Sequence, residues 1–187
     1  MNVYGYLKVH KTDNATIYEN ERSLPRAMLL RDVIIEPDSD RMLDYMASLK
    51  FNPKKEILFE DDVDISFLNN KSKTNVRYDL VNIEKYSPRE VCIAVFARTP
   101  AFLQLADAYY PGWIAYLDGK KQNILRSDYA LRAIKVPAGT HRVRFVYRPF
   151  SFYMGSATTL LSLILLIIYG IYRVFKIDRR LFFKYNH

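Results

Sequence analysis

Apolar and polar residues alternate along most of the second half of the chain. The stretches VRYDLVNIEKY and HRVRFVYR carry apolar side chains at nearly every second position, which is the period of a strand with one buried face, whereas VCIAVFA is a continuous apolar run. Turn signals such as Asp118-Gly119 separate strands about eight to twelve residues apart. The pattern predicts a mainly β domain in which residues 75–149 form a β-meander, folded as an antiparallel β-sandwich or jelly roll.

The first half combines short extended segments with one predicted helix. Residues 1–36 contain segments of strand-like composition, punctuated by Asn14 and Asn20. The Pro-Asp-Ser-Asp sequence at 37–40 supplies N-cap side chains, and Asn52-Pro53 supplies a stop signal. Between them, apolar residues recur at helical spacing: Met42, Leu43, Tyr45, Met46 and Leu49. This predicts a short amphipathic helix over residues 40–50.

The longest apolar stretch lies near the end of the sequence. Residues 152–172 are 21 residues without a charge, and a helix of this length spans the ~30 Å hydrocarbon layer of a bilayer. Apolar side chains surround this helix on every side, so a domain of about 150 residues could hardly enclose it. We predict a transmembrane helix at 151–173, with the lipid bilayer as its partner, between a β-rich domain (1–150) and a basic tail (174–187).

The charges beside the span predict its orientation. Five basic residues and one acidic residue follow Tyr172, and the cytoplasmic flank of a span is enriched in Lys and Arg. The tail is therefore predicted to be cytoplasmic and the β-domain extracytoplasmic. Residues 1–11 lack the apolar core of a signal peptide. Two explanations stay open: a tail-anchored protein with its domain inside the cell, or the C-terminal part of a longer protein whose earlier helices carry the domain across.

The composition and the absence of known motifs argue against several classes of function. The net charge of +8 suggests a nucleic-acid partner, but half of the excess lies after Tyr172, and no zinc-finger or helix-turn-helix pattern is present. One cysteine and three histidines argue against a metal site, and the acidic cluster at 60–64 lacks the glycine and spacing of a calcium loop. Walker, GxGxxG, GxSxG, HExxH and CxxC motifs are absent. We predict no nucleic acid, metal, cofactor or catalytic residue.

A series of short motifs resembles the C-terminal region of the YfhO family of bacterial membrane proteins. They occur in the family's order and extend over most of the chain: Tyr18-Glu19-Asn20, Leu24-Pro25-Arg26-Ala27, Phe51-Asn52-Pro53, Tyr110-Pro111-Gly112-Trp113, Asp118-Gly119, V-P-x-G-x-H from Val136, and F-x-Y-x-P from Phe145. Members of that family are similar to GT-C glycosyltransferases, with about a dozen membrane helices, a polyprenyl-phosphate sugar donor and a β-rich outer domain. The resemblance implies a role in glycosylating envelope polymers such as lipoteichoic acid.

The sequence departs from that family pattern in one respect. It has a single span, whereas the catalytic acid of GT-C enzymes lies in an early outer loop between other helices. The resemblance therefore implies an accessory or acceptor-positioning module without catalytic residues of its own. Its expected partners are the upstream membrane helices of a full-length protein or a separate membrane subunit, with envelope glycan or polyprenyl-phosphate sugar as possible ligands. The alternative is a membrane-anchored, non-catalytic glycan-binding or structural protein.

Two groups of residues are candidates for contact with such ligands. The aromatic group could stack on sugar rings or pack the sandwich core, and alternation places its tryptophan on the inward face. The arginine group could bind phosphate or lipid headgroups, or form a solvated basic face. The aromatic candidates are Tyr109, Tyr110, Trp113 and Tyr116, and the arginine candidates are Arg126, Arg132, Arg142, Arg144 and Arg148.

Overall fold

The computed structural model describes residues 6–20, 23–69 and 78–185, so the first residues of the predicted meander, 75–77, lie outside the described part of the chain. The strands are β1 (Tyr6–Lys11), β2 (Thr16–Asn20), β3 (Ala27–Leu30), β4 (Asp32–Ile35), β5 (Glu56–Phe59), β6 (Leu80–Ser87), β7 (Glu90–Ala97), β8 (Ala101–Ala108), β9 (Trp113–Leu117), β10 (Lys120–Gln122), β11 (Leu125–Ser127), β12 (Leu131–Val136) and β13 (Gly139–Tyr147). The helices are α1 (Ser39–Ala47), α2 (Phe150–Tyr185) and a short 3-10 helix at Ser66–Asn69.

Two antiparallel sheets form the centre of the domain. A five-stranded sheet has the order β10-β9-β13-β7-β6, and a four-stranded sheet has the order β11-β12-β8-β3. The apolar core between them is made by alternate residues of the strands, among them Ile93, Leu103, Ile134, Val143 and Phe145, all fully buried. Burial of each such side chain stabilises the fold by about 1.5–3 kcal/mol. The predicted mainly β, antiparallel sandwich is confirmed.

The four-stranded sheet is buried on both faces. Along β8, Leu103 faces the core between the sheets, whereas Phe102 faces a second apolar cluster on the other side. The Phe102 ring lies 4.9 Å from that of Phe59 in β5 and 5.0 Å from that of Phe67 in the 3-10 helix. This outer layer, built from the parallel pair β4-β5 and the 3-10 helix, explains why β8 has a continuous apolar sequence instead of an alternating one.

A buried aspartate joins the outer layer to the sandwich. Asp128 accepts a hydrogen bond from the Leu58 N–H at 2.9 Å, and its own N–H donates to the Leu58 carbonyl at 2.9 Å. The amide of Gln104 donates to the other carboxylate oxygen at 2.7 Å. Burial raises the pKa of Asp128 and outweighs the opposing effect of these hydrogen bonds. Both carboxylate oxygens are thus used, and the contacts with Leu58 hold β5 in place.

The connections differ from the predicted β-meander. Hairpins join β6 to β7 and β9 to β10, but β8 lies in the opposite sheet and β13 inserts between β9 and β7. The prediction of a simple meander is therefore wrong. Alternation of apolar residues shows which face of a strand is buried, but it does not specify the neighbouring strand.

The short helix starts earlier and ends earlier than predicted. Asp38 caps α1 by accepting hydrogen bonds from the N–H groups of Asp40 and Arg41 at 2.9 and 3.1 Å. At the other end Ser48 adopts an extended conformation and its hydroxyl donates to the Tyr45 carbonyl at 2.6 Å. Because the helix ends at Ala47, Leu49 is fully exposed instead of lying on the apolar face. The residue that anchors α1 in the core is Met42.

The helix α2 leaves the sandwich directly after β13. Its segment Phe150–Arg173 has a mean hydropathy of 2.0 and none of it is buried against the domain. That segment is long and apolar enough to cross a membrane, in agreement with the predicted span. The helix continues to Tyr185, so the backbone of the predicted tail is helical over most of its length.

Candidate functional site

A cleft of about 570 Å³ lies between the two sheets at the end of the sandwich from which α2 leaves. The ends of β6, β8 and β13 and the beginnings of β9 and β12 surround it. We call it the Trp113 cleft; its lining residues are Tyr86, Ser87, Pro88, Asp107, Ala108, Tyr110, Trp113, Arg132 and Tyr147. Its wall thus combines four aromatic rings with an arginine and an aspartate.

A buried ion pair forms the floor of the cleft. Arg132 is only 2% exposed, and its Nη2 donates to Asp107 at 2.9 Å. The same carboxylate accepts hydrogen bonds from Arg26 at 2.9 Å and from the Tyr86 hydroxyl at 2.9 Å. A carboxylate offers about four acceptor positions, so Asp107 retains room for one further donor on the Oδ2 side.

The arginine also positions the tryptophan. The guanidinium carbon of Arg132 lies 3.9 Å from the centre of the Trp113 ring and 5.5 Å from that of Phe145. Its Nε and Nη1 atoms are buried and have no hydrogen-bond partner among the described residues. A buried donor without a hydrogen-bond partner destabilises the fold. The π faces of the two rings offset part of this loss, since a cation over an aromatic face is stabilised by about 0.5–2 kcal/mol. Arg132 therefore holds the Trp113 ring in a defined orientation.

The aromatic wall continues across the mouth of the cleft. The Tyr147 ring lies 5.2 Å from that of Trp113, at an interplanar angle of 44°, and 6.4 Å from that of Tyr110. Tyr86 and Tyr110 are more than half exposed, whereas Trp113 and Tyr147 are half-buried. Trp113 and Tyr147 thus form the packed inner half of the wall, and Tyr86 and Tyr110 form its solvent-exposed outer half.

Backbone contacts fix the turn that carries Tyr110 and Trp113. Gly112 has φ +103, and a Cβ atom at this position would lie 2.9 Å from the Cα of Pro149. The N–H of Arg148 donates to the Gly112 carbonyl at 2.6 Å. A glycine is therefore required here both for its positive φ and for the close approach to the segment that leads into α2.

Burial affects the ionisation of two groups in the cleft. It lowers the pKa of Arg132, although Asp107 opposes the shift, and a guanidinium stays charged at any physiological pH. Burial also raises the pKa of Tyr86, and the hydrogen bond to Asp107 adds to that effect. The Tyr86 hydroxyl is therefore a neutral donor. The cleft offers hydrogen bonding and stacking surfaces, and neither group is prepared for acid–base chemistry.

Three of the nine candidate residues lie together in the Trp113 cleft. Tyr110, Trp113 and Arg132 line the Trp113 cleft. Tyr109 and Arg126 line a different cavity of about 310 Å³, where Arg126 forms an ion pair with Glu60. Tyr116 lies on β9 opposite Lys121 of β10 and Arg144 of β13, outside the cleft.

The other arginines lie on or beyond the outer face of β13. Arg142 forms an ion pair with Glu84 at 2.7 Å, and Arg144 forms one with Glu90 at 2.6 Å. Arg148 follows β13 and is exposed at the start of the segment leading to α2. Arg142, Arg144 and Arg148 therefore lie outside the Trp113 cleft.

Sequence reasoning missed Asp107, Tyr86 and Tyr147 as members of the site. A usable signal was present for Asp107, because it is a charged residue in the apolar strand AFLQLADA, as Arg132 is in LRAIKV. A charge in a strand buried on both faces needs an opposite charge from a neighbouring strand. Among the described residues, no group of three or more His, Cys, Asp or Glu side chains could hold a metal ion.

Residues from three separated motifs converge at this end of the sandwich. Arg26 of the L-P-R-A motif binds Asp107, the Y-P-G-W turn supplies Tyr110 and Trp113, and the F-x-Y-x-P motif supplies Tyr147. A family model described as "Bacterial membrane protein YfhO" matches residues 1–159. The chain belongs to the YfhO family. No curated protein and no solved structure matches it.

Both the family membership and the apolar helix indicate that the chain is located in a membrane. YfhO proteins are membrane proteins, and the segment Phe150–Arg173 is able to span a bilayer. This YfhO-family chain is therefore a membrane protein. The matched region includes the whole β-domain, every residue of the Trp113 cleft and the first turns of α2.

Proposed function

We propose that the β-domain of this YfhO-family chain is an extracytoplasmic, non-catalytic module that binds the saccharide part of a cell-envelope polymer such as lipoteichoic acid. It would present this acceptor to a GT-C-like membrane active site that uses a polyprenyl-phosphate sugar. The observation that carries the proposal is the Trp113 cleft, which combines an aromatic wall with a buried arginine–aspartate pair. The chain would act with further membrane helices of a full-length protein or of a separate subunit.

The chemistry of the cleft supports a saccharide over an apolar ligand. Aromatic rings such as Tyr110 and Trp113 present flat faces to the C–H side of a sugar ring, and the free acceptor position of Asp107 suits a hydroxyl. An apolar ligand would leave this carboxylate position unused. The volume of about 570 Å³ accommodates a short saccharide segment.

The membrane helix supports an accessory role. A polyprenyl-phosphate donor needs an intramembrane groove lined by several helices, and the part of the chain that the structure describes contains one candidate span. A shallow groove along α2 is bordered by the small residues Ser151, Gly155, Ser156 and Thr159. Small residues allow the close approach of a neighbouring membrane helix. This face of α2 is the proposed contact with the catalytic part.

Calorimetric titration of the purified chain with oligosaccharide fragments of envelope polymers tests the binding proposal. Tyr110→Ala should weaken binding about three- to tenfold, which corresponds to the loss of one stacking contact. Tyr116→Ala, on the same turn-and-strand unit but outside the cleft, is the matched control and should bind as the wild type does. Equal loss in both variants, or no binding by the wild type, would contradict the proposal.

A transfer assay tests the accessory role. The purified chain should transfer no sugar from a polyprenyl-phosphate donor, and deletion of the same β-domain from a full-length relative should impair transfer. Turnover by the isolated chain would show that it carries its own catalytic residues.

Cysteine labelling tests the proposed orientation. In a Cys92→Ser background, Lys120→Cys places one thiol on the exposed β9-β10 hairpin. A membrane-impermeant maleimide should label it in intact cells if the β-domain is extracytoplasmic. Labelling only after lysis would instead favour a domain inside the cell.

A non-catalytic structural role is the second candidate. The contact of Gly112 with Pro149, and the hydrogen bond from Arg148 to Gly112, couple the cleft to the start of α2. Under this alternative the aromatic wall serves to hold the domain on its helix, and the titration above would detect no saccharide.

A further inference from the structure

A further cavity lies where the β-domain meets α2, on the outer side of the five-stranded sheet. Its volume is about 310 Å³. We call it the junction pocket; the residues that matter to its chemistry are Arg89, Glu90, Arg144, Arg148, Phe152 and Tyr153. It borders Tyr147, as the Trp113 cleft does, but it opens on the opposite side of β13.

The depth of the junction pocket follows from the helix residues that line it. Phe152 and Tyr153 lie in the first turn of the span, are exposed, and have ring centres 5.8 Å apart. Aromatic residues at the end of a span lie at the level of the lipid headgroups. The pocket therefore lies beside the headgroups of whichever leaflet faces the β-domain.

The charges in the junction pocket are unbalanced. Glu90 accepts hydrogen bonds from Lys85 and from Arg144, the latter at 2.6 Å, and these contacts lower its pKa. Its negative charge is thus neutralised by two neighbours. Arg89 and Arg148 are both exposed, and their guanidinium groups have no side-chain partner in the part of the chain that the structure describes. Two positive charges are left to face the cavity.

We propose that the junction pocket binds the phosphate of an anionic membrane lipid, with Arg89 and Arg148 as its charged contacts. Guanidinium groups bind phosphate oxygens through paired N–H donors. Phe152 and Tyr153 would pack against the lipid below its headgroup. This assignment is independent of the proposed saccharide function, because it uses different residues on the other side of β13. Arg89 is a residue that the sequence did not single out.

Native mass spectrometry of the full chain tests the assignment. The detergent-solubilised protein is equilibrated with equal amounts of phosphatidylglycerol and phosphatidylcholine, and retained lipid is counted. The wild type should retain phosphatidylglycerol selectively. Arg89→Gln/Arg148→Gln should weaken this retention roughly ten- to thirtyfold, since each basic residue near the membrane surface contributes to anionic-lipid binding.

A charge-matched control separates a site from a diffuse positive surface. Lys120→Gln/Lys121→Gln also removes two charges, but from the exposed hairpin at the far end of β9. This variant should retain phosphatidylglycerol as the wild type does. Equal retention in all three proteins, or equal loss in both variants, would overturn the proposal. Phosphatidylglycerol that stays bound in excess inorganic phosphate at matched ionic strength supports a lipid site, whereas retention of inorganic phosphate without retention of phosphatidylglycerol would show a site for free phosphate and overturn the lipid assignment.

Discussion

The Trp113 cleft and the junction pocket lie on opposite sides of the end of β13, and they use arginine in opposite ways. Arg132 in the cleft is buried, paired with Asp107 and stacked on Trp113. Arg89 and Arg148 in the junction pocket are exposed and have no such partner in the described structure. A buried guanidinium must be compensated within the fold, whereas an exposed one costs the fold little. The first arrangement is thus part of the architecture, and the second is available for a ligand.

The largest effect on stability is expected from removing the partner of the buried arginine. Asp107→Ala leaves Arg132 uncompensated, so the free energy of unfolding should fall by about 3–5 kcal/mol. Urea denaturation followed by Trp113 fluorescence measures this. Asp62→Ala, at an exposed loop position, is the control and should change stability by less than about 0.5 kcal/mol. A loss below about 1 kcal/mol in Asp107→Ala would mean that the pair is not a structural element.

A smaller loss is expected from the tryptophan itself. Trp113→Ala removes a half-buried ring and its contact with Arg132, so stability should fall by about 2–3 kcal/mol, less than for a fully buried aromatic residue. Circular dichroism during urea denaturation measures the change. Trp113→Phe keeps a ring over Arg132 and should recover part of the stability that Trp113→Ala loses. An unchanged unfolding free energy would show that the ring does not pack on the arginine.

An ion pair of intermediate exposure should respond to pH. Burial alone would raise the pKa of Asp79, but hydrogen bonds from the Arg31 side chain and the Arg98 N–H outweigh it and lower the pKa. A carboxylate with a lowered folded-state pKa contributes stability that is complete above the unfolded pKa of about 3.9 and is lost as pH falls through the folded value. The free energy of unfolding of the wild type should therefore exceed that of Asp79→Asn by about 1 kcal/mol near neutral pH. This difference should vanish in acid; a difference independent of pH would contradict the assignment.

The smallest effect on stability is expected in the junction pocket. Arg89→Gln/Arg148→Gln removes no side-chain contact within the described structure, so the free energy of unfolding should stay within about 0.5 kcal/mol of the wild type. The same urea experiment measures it. A loss as large as that of Asp107→Ala would show that these arginines support the fold and are not free for a ligand.

The fold was largely predictable because its main elements have strong local signals. The alternation in HRVRFVYR specifies which side of β13 is buried, and the positive φ of Asp118 and Gly119 agrees with the predicted hairpin turn. Sheet order was not predictable, since β13 pairs with β7 and β9, which lie far from it in the sequence. The end of α1 also depends on a local detail, the hydroxyl of Ser48, which the apolar spacing does not contain.

The site was predictable only in part, for a related reason. Tyr110 and Trp113 lie within one motif, so the sequence shows that they are close. Asp107 and Arg132 lie on β8 and β12, and only the pairing of these strands brings their side chains together. The sequence also grouped Arg142, Arg144 and Arg148 as one basic row, whereas the first two are held by Glu84 and Glu90.

The central claim, that the Trp113 cleft binds saccharide, is tested most directly by the fluorescence of Trp113, which is the only tryptophan in the sequence. The purified chain is titrated with oligosaccharide fragments of envelope polymers while emission and acrylamide quenching are recorded. We predict a saturable change in emission together with protection of the ring from acrylamide, and a weaker response in Tyr110→Ala. Emission and quenching that stay unchanged at saturating saccharide would contradict the account.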